Sequence, residues 1–263
     1  MVLERLVNVR IALKQPFWVF ILGGIISTIS LFLSFLLFPD SPGLMSNFFI
    51  TFGIMPFMLD FMRYEGAKLE QKAEELKKMN IFQRHRNVIM VYIAFFVGMI
   101  LTQTILFMMI PENWSEKLFR DQLDIINRMR GRATFGGTFS TILINNTGVL
   151  TLSFLLSFLF GAGAIFILAW NASVLSVAIG MTAKSLGGFR GIPSAILTFF
   201  PHGSLEILAY FIGGISGGLV SLAFTKRKTE KLSFILRDSF EMMATAFILL
   251  VIAAVIESTL IVF

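Results

Sequence analysis

Long apolar segments recur along the whole chain and restrict its fold more than any other feature. A helix needs about 20 apolar residues to cross the hydrocarbon core of a bilayer. Seven stretches approach or exceed that length with few charges, and they cover residues 17–38, 44–62, 88–110, 138–160, 164–183, 193–224 and 239–261. The sequence therefore predicts an all-α fold, a polytopic transmembrane helical bundle of about seven spans.

The composition agrees with a membrane protein and excludes several kinds of chemistry. Only 14% of the residues are charged, against about 25% in soluble domains. There is no cysteine, which excludes disulfides, thiolate metal sites and a cysteine nucleophile. The net charge is +6, and the basic residues that produce it lie beside the spans. We therefore expect them to contact anionic lipid, and we expect no nucleic-acid partner. We interpret residues 1–263 as a single membrane domain.

The segments between the spans are short and amphipathic. The first segment, 1–16, is predicted to form an interfacial helix. The second, 63–87, is predicted to form a charged helix that flanks the membrane. Residues 111–134 predict a helix lying flat on the outer surface through Phe119, Leu123 and Ile126. The second span, 44–62, contains Pro56, and it either crosses the membrane or re-enters.

Lysine and arginine counts predict the orientation of the chain. With the N-terminus inside, fifteen of these residues lie in the inner segments and seven in the outer loops. Cytoplasmic loops carry such an excess. We therefore expect a multi-pass protein of the cell membrane with its N-terminus inside and its C-terminus outside.

The sixth apolar stretch is longer than one crossing requires and contains Pro201. Proline removes a backbone donor, so we expect a proline-broken sixth helix, with a half-helix before Pro201 and a full span after it. Four glycines follow at helix-packing spacing, and we expect them to form a homodimer face: Gly213, Gly214, Gly217 and Gly218.

Polar and ionisable residues inside membrane spans are expensive and indicate candidate sites. Estimated depths place five of them in the outer half of the bundle, and a sixth, Asn171, lies nearer the inner half. The predicted cluster consists of Asn145, Asn146, Asn171, His202, Glu206 and Glu257.

Three interpretations of this cluster remain open. A buried hydrogen-bond network would fix helix packing, and the asparagines suit that role. Ion or proton binding is the second interpretation. The third is a catalytic divalent metal held by His202, Glu206 and Glu257, which needs a His plus two carboxylates and an open position for water. No phosphate-binding or dinucleotide motif is present, so we expect no organic cofactor.

Four pieces of sequence together resemble a known family. They are FSTILINN at 139–146, the spacing Gly161…Gly163…Asn171, PHGSLE at 201–206 and AAVIE at 253–257. This pattern is similar to the stage II sporulation protein M family of integral membrane proteins, over about residues 139–263. Residues 135–263 then form a family-like core, and 1–134 hold less similar N-terminal spans.

The resemblance implies a non-enzymatic membrane scaffold, which in spore formers recruits peptidoglycan-degrading partners. The expected partners are therefore the lipid bilayer, a second copy of the chain, and membrane or extracytoplasmic proteins. A transporter or ion-binding protein is the first alternative, and an intramembrane metallohydrolase is the second.

Overall fold

The computed structural model describes residues 9–129, 135–225 and 232–262, and all regular structure within them is helical. Seven helical segments are long and apolar enough to cross a membrane. The prediction of an all-α membrane bundle is thus confirmed. The helices are α1 Val9–Lys14, α2 Phe17–Leu37, α3 Pro42–Gln71, α4 Ala73–Leu76, α5 Ile81–Arg84, α6 Arg86–Met109, α7 Glu112–Leu118, α8 Arg120–Met129, α9 Phe135–Phe160, α10 Ala164–Ser185, α11 Ile192–Thr225 and α12 Leu232–Val262.

Two groups of helices meet in the bundle. Helices α2, α3 and α6 pack together in the N-terminal half, and α9, α11 and α12 pack together in the C-terminal half. Helix α10 contacts members of both groups. Aromatic rings join α6 to α11, where the Phe211 ring lies 5.4 Å from Tyr92 and 5.2 Å from Phe96, measured between centroids.

The predicted break in the sixth helix is wrong, because α11 continues through Pro201 as one helix of 34 residues. Proline removes only one hydrogen-bond donor, and a helix is the structure that satisfies the other backbone groups in lipid. The same holds for Pro56 inside α3, which runs for 30 residues. The re-entrant alternative for the second span is therefore not what the structure shows.

The charged segment 63–87, predicted as one membrane-flanking helix, is divided in the structure: its first part continues α3, and the short helices α4 and α5 follow. Helix α3 stops at Gln71, and Asn80 begins α5 by accepting a hydrogen bond from the Gln83 N–H at 2.9 Å. Likewise, the outer surface segment forms α7 and α8 with Phe119 and Ile126 buried. Residues 1–8, 130–134 and 226–231 lie outside the described residues, including parts of the predicted interfacial helix and of the basic loops.

The four glycines of α11 are buried inside one protomer. A side chain at Gly217 would meet the Phe154 carbonyl of α9, and one at Gly214 would meet the Ala164 side chain of α10. Gly213 faces Leu150, and Gly218 faces Gly161 and Met62. This face is therefore filled by the chain's own helices, and a homodimer through it is a prediction that the structure corrects.

Candidate functional site

Three helices bring an amide and two carboxyl groups together in the C-terminal half. Asn146 of α9 donates a hydrogen bond through Nδ2 to Glu206 Oε1 of α11 at 2.6 Å. Glu257 of α12 lies within hydrogen-bonding reach of the Glu206 carboxyl. A hydrogen bond between two carboxyl groups requires a proton on one of them. The arrangement can therefore hold a proton between Glu206 and Glu257.

His202 and Tyr210 lie one turn on either side of Glu206 on the same face of α11. His202 is partly buried, its Nδ1 has no hydrogen-bond partner among the described residues, and its ring interacts electrostatically with Glu257. Tyr210 is buried beside both carboxyl groups. The sequence prediction did not include Tyr210, although its spacing of four residues from Glu206 was available as a signal.

The two remaining predicted residues are placed differently. Asn145 is exposed on α9 and donates through Nδ2 to Asn146 Oδ1 at 3.2 Å. Asn171 donates to the Ile167 carbonyl of its own helix at 2.8 Å. We call Asn146, His202, Glu206 and Glu257 the outer cluster, after the half of the bundle in which the sequence predicts them, and Asn145 lies at its edge.

The predicted metal-ligand set does not form in this structure. Across the described residues, which include His202, Glu206 and Glu257, no group of three or more His, Asp or Glu side chains has an arrangement that could hold a metal ion. Two carboxyls that contact each other and an amide that donates to one of them suit a shared proton better than a cation with three separate ligands.

A second polar site, which the sequence analysis missed, lies at the end of the bundle predicted to face inside. Arg84 of α5 pairs with Asp238 of α12 through Nη1. His85 Nε2 lies 2.9 Å from Asp238 Oδ2, and His85 Nδ1 lies 3.3 Å from Glu65 Oε1 of α3. All four side chains are buried. We call Glu65, Arg84, His85 and Asp238 the ionic network.

Peripheral charges and carbonyls complete the ionic network. Lys68 Nζ lies 3.0 Å from Glu65 Oε1 and donates to the Arg84 carbonyl at 2.7 Å. Arg84 also donates to the carbonyls of Leu76 and Met79. Buried charges need such partners, because an uncompensated one is strongly destabilising.

The electrostatics of the network favour a charged His85. Burial alone lowers the pKa of an imidazole, but the hydrogen bond to Asp238 and the charges of Asp238 and Glu65 outweigh burial and raise the pKa of His85 above its ordinary value. An open pocket of about 460 Å³ lies next to this site, lined by Arg84, Asp238, Glu241 and four further residues: Lys77, Ser233, Phe234 and Arg237. Water in the pocket thus reaches the edge of the network.

The structure is that of an all-helical, multi-pass membrane protein with two polar clusters, one nearer to each end of its bundle. The model of the stage II sporulation protein M family matches residues 17–260. The chain therefore belongs to this family, which confirms the predicted resemblance. The match begins at residue 17, so the N-terminal spans belong to it too, contrary to the narrower range expected. A search of curated proteins and a search of solved structures each gave no match.

Proposed function

We propose that this protein is a non-enzymatic membrane scaffold that associates through helix α9, first with a second copy of itself. Family membership supports a protein of the stage II sporulation protein M type, and the resemblance implies a recruiting scaffold. The observation that carries the proposal is Asn145, a polar amide exposed to the lipid side of an apolar helix.

Helices α9 and α12 are buried by the other helices of the protomer over only a small part of their surface. In the most apolar part of α9 22% of the residues are buried, and in that of α12 28%, against 72% for α11. Helix α11 is thus enclosed by the protomer, while α9 and α12 present broad faces outward. Such faces meet lipid or another transmembrane helix.

Asn145 favours another helix over lipid. It lies about 15 Å along α9 from Phe135, at the standard rise per residue. Among the described residues none donates to its carbonyl oxygen Oδ1, and an amide group without partners is costly in hydrocarbon. Three residues further, Gly148 has open space where a side chain would begin. A partner helix can approach closely there and hydrogen-bond to Asn145.

A second copy of the chain is the partner that this face suits directly. An asparagine amide carries both donors and acceptors, so two Asn145 side chains across a twofold axis complement each other. A dimer through α9 would leave both α12 helices open to further proteins. In this proposal α9 takes the place of the glycine face of α11 as the dimer interface, because other helices of the same protomer pack against those glycines.

Disulfide crosslinking in membranes tests the proposal, because the native chain has no cysteine. Gly148→Cys should give a crosslinked dimer, whereas Ile29→Cys, exposed on α2, should not. Adding Asn145→Leu should weaken the dimer about tenfold, since an interhelical hydrogen bond contributes about 1–2 kcal/mol. Thr259→Leu, exposed on α12, is the matched control and should leave the dimer unchanged.

Equal crosslinking at Gly148→Cys and Ile29→Cys would contradict a dimer through α9. A Gly148→Cys dimer that Asn145→Leu does not weaken would also contradict it.

The second candidate function is proton or ion binding at Glu206 and Glu257, favoured by the contact between their carboxyl groups. The chain lacks the half-helix that we expected for a transporter, because α11 is continuous through Pro201. The metallohydrolase alternative lacks a metal-ligand set within the described chain.

A further inference from the structure

The ring of His85 lies between two carboxylates in the ionic network. Its Nε2 faces Asp238 Oδ2 at 2.9 Å and its Nδ1 faces Glu65 Oε1 at 3.3 Å. A neutral imidazole carries one N–H, so one of its two nitrogens would then present a lone pair to a carboxylate oxygen. An imidazolium has an N–H on both nitrogens. Nδ1 makes no hydrogen bond among the described residues, but a carboxylate oxygen 3.3 Å away repels a lone pair on Nδ1 and attracts an N–H. The position of the two carboxylates therefore suits the protonated ring.

The charges around His85 lead to the same conclusion. The fully buried charged groups beside it are the carboxylates of Glu65 and Asp238 and the guanidinium of Arg84. A protonated His85 makes this buried set neutral, which low-dielectric surroundings favour. Two partly exposed groups also contact this set. Lys68 Nζ lies 3.0 Å from Glu65 Oε1, and Glu241 Oε2 lies 3.6 Å from Arg84 Nη1 and pairs with the exposed Arg237. The charges of Lys68 and Glu241 cancel, so the set with a protonated His85 stays neutral when both are counted.

Two buried atoms of the ionic network, His85 Nδ1 and Glu65 Oε2, have no hydrogen-bond partner among the described residues. Glu65 is completely buried, and its Oε2 receives no hydrogen bond among the described residues. A buried carboxylate with a free oxygen relies on nearby positive charge. His85 and Lys68 are the two groups that supply it here. Loss of the His85 proton would leave Glu65 with Lys68 alone.

We infer that Glu65, His85 and Asp238 form a buried binding site for one proton, and that this proton joins the two halves of the bundle. Glu65 and His85 belong to the N-terminal half, and Asp238 belongs to the last helix, 153 residues further along the chain. The pocket lined by Arg84 and Asp238 gives the proton a route to water. This site is separate from the face of α9 and does not depend on the dimer.

The proton makes the junction dependent on pH, with a sign that follows from linkage. The pKa of His85 is raised in the folded protein, so its proton stabilises the fold. The stabilisation is complete below about pH 6.5, the ordinary pKa of histidine, and is lost as pH rises through the higher pKa of the folded state. Alkaline conditions should therefore loosen α12 from α3 and α5.

Nitrogen-15 NMR of the imidazole rings tests the site directly, because the chain has two histidines. In the His202→Gln variant, His85 gives the only histidine signal. Because the pKa of His85 is raised in the folded protein, both ring nitrogens should lose their shared excess proton only above the pH at which a free histidine titrates. Asp238→Asn should move the titration midpoint down by about one pH unit or more, since it removes an opposite charge at contact distance. Glu65→Gln gives the same test if Asp238→Asn does not fold.

A His85 ring that titrates at or below the pH of a free histidine in the His202→Gln protein would overturn the proton site. This result needs no other variant, so a folding failure of Asp238→Asn does not leave the question open. A titration midpoint that neither Asp238→Asn nor Glu65→Gln shifts would also contradict the assignment. In either case the network would be a permanent ion pair around a neutral imidazole.

The joining role has its own readout. Cysteines at Gln83 and Ser233, both exposed, place spin labels on the two sides of the junction. Their distance distribution should broaden over the pH range in which His85 loses its proton. A pair at Gln83 and Gln71, both in the N-terminal half, is the control and should not change. An unchanged Gln83–Ser233 distance during a real His85 titration would disprove the joining role.

Discussion

Two carboxyl groups of helix α12, those of Asp238 and Glu257, lie near its opposite ends and are stabilised in opposite ways. Asp238 is fully buried and meets Arg84 and His85. Glu257 is partly buried and meets the carboxyl of Glu206, which Asn146 also holds. The first site is held by paired charges, and the second by hydrogen bonds among groups that need not be charged.

This difference predicts how each site responds to the loss of one member. Removing one partner of a buried ion pair leaves an uncompensated charge, which costs about 3–5 kcal/mol. Removing a hydrogen bond between membrane helices costs about 0.6–2 kcal/mol. The ionic network should therefore be the more sensitive site, although the outer cluster contains the residues that attract attention in the sequence.

The largest effect is expected for Asp238→Asn. Asparagine keeps the size of the side chain but removes the charge that compensates Arg84 and His85, so we expect a loss of about 3–5 kcal/mol in the free energy of unfolding. Reversible unfolding of the purified protein in lipid nanodiscs or mixed micelles would measure it.

Arg237→Ala is the matched control for Asp238→Asn. Arg237 precedes Asp238 on α12, but its side chain is 80% exposed and pairs with the half-exposed Glu241. Such a pair contributes about 1 kcal/mol at most. If Asp238→Asn were as mild as Arg237→Ala, the network would not be a buried ionic contact, and the contrast between the two ends of α12 would disappear.

The two sites also differ in how visible they are from the sequence. His202, Glu206, Glu257 and Asn146 stand out because each interrupts an apolar span, and helical spacing places His202 and Glu206 on one face. In the ionic network, Glu65 and His85 sit in a charged connecting segment that looks solvated. Their link to Asp238 spans 153 residues, and no local pattern in one sequence encodes such a pairing.

Two other expectations failed for physical reasons that local patterns do not contain. Pro201 was expected to break its helix, but a lipid environment penalises any other backbone arrangement. The α11 glycines were expected to face a second chain because small residues mark helix contacts. The spacing indicates a close contact and does not say whether the contacting helix belongs to the same chain.

A smaller effect is expected for Gly217→Leu, and it should separate the two sites. A side chain at position 217 meets the Phe154 carbonyl of α9, so α9 must move, at a cost of about 1–3 kcal/mol for an overpacked contact. Helix α9 carries Asn146 of the outer cluster and no member of the ionic network. Hydrogen exchange should therefore increase around α9, while the amides near His85 stay protected.

Gly148→Leu is the control for Gly217→Leu, because no atom lies within 4 Å of the place where its side chain would begin. Because Gly148 lies on the proposed dimer face, the comparison is made at a detergent dilution that dissociates the dimer, where Gly148→Leu should leave the unfolding free energy of the protomer nearly unchanged. If Gly217→Leu were equally harmless to the protomer and instead lowered dimer content, the α11 face would be an interface between chains after all.

The smallest effect is expected for Glu257→Gln, the counterpart of Asp238→Asn on the same helix. A glutamine amide donates an N–H where a protonated carboxyl donates an O–H, so the hydrogen bond to Glu206 persists. We expect a change within about 1 kcal/mol in the free energy of unfolding. The same variant tests the second candidate function, because it removes the proton shared with Glu206.

Proton release on unfolding of Glu257→Gln, measured by calorimetry in buffers of different ionisation enthalpy, should therefore fall relative to the native chain. Thr259→Ala, exposed on α12 two residues away, should leave proton release unchanged. A loss of stability as large as that of Asp238→Asn would mean that Glu257 is an ionised partner of His202, and the outer cluster would then be a second ionic site.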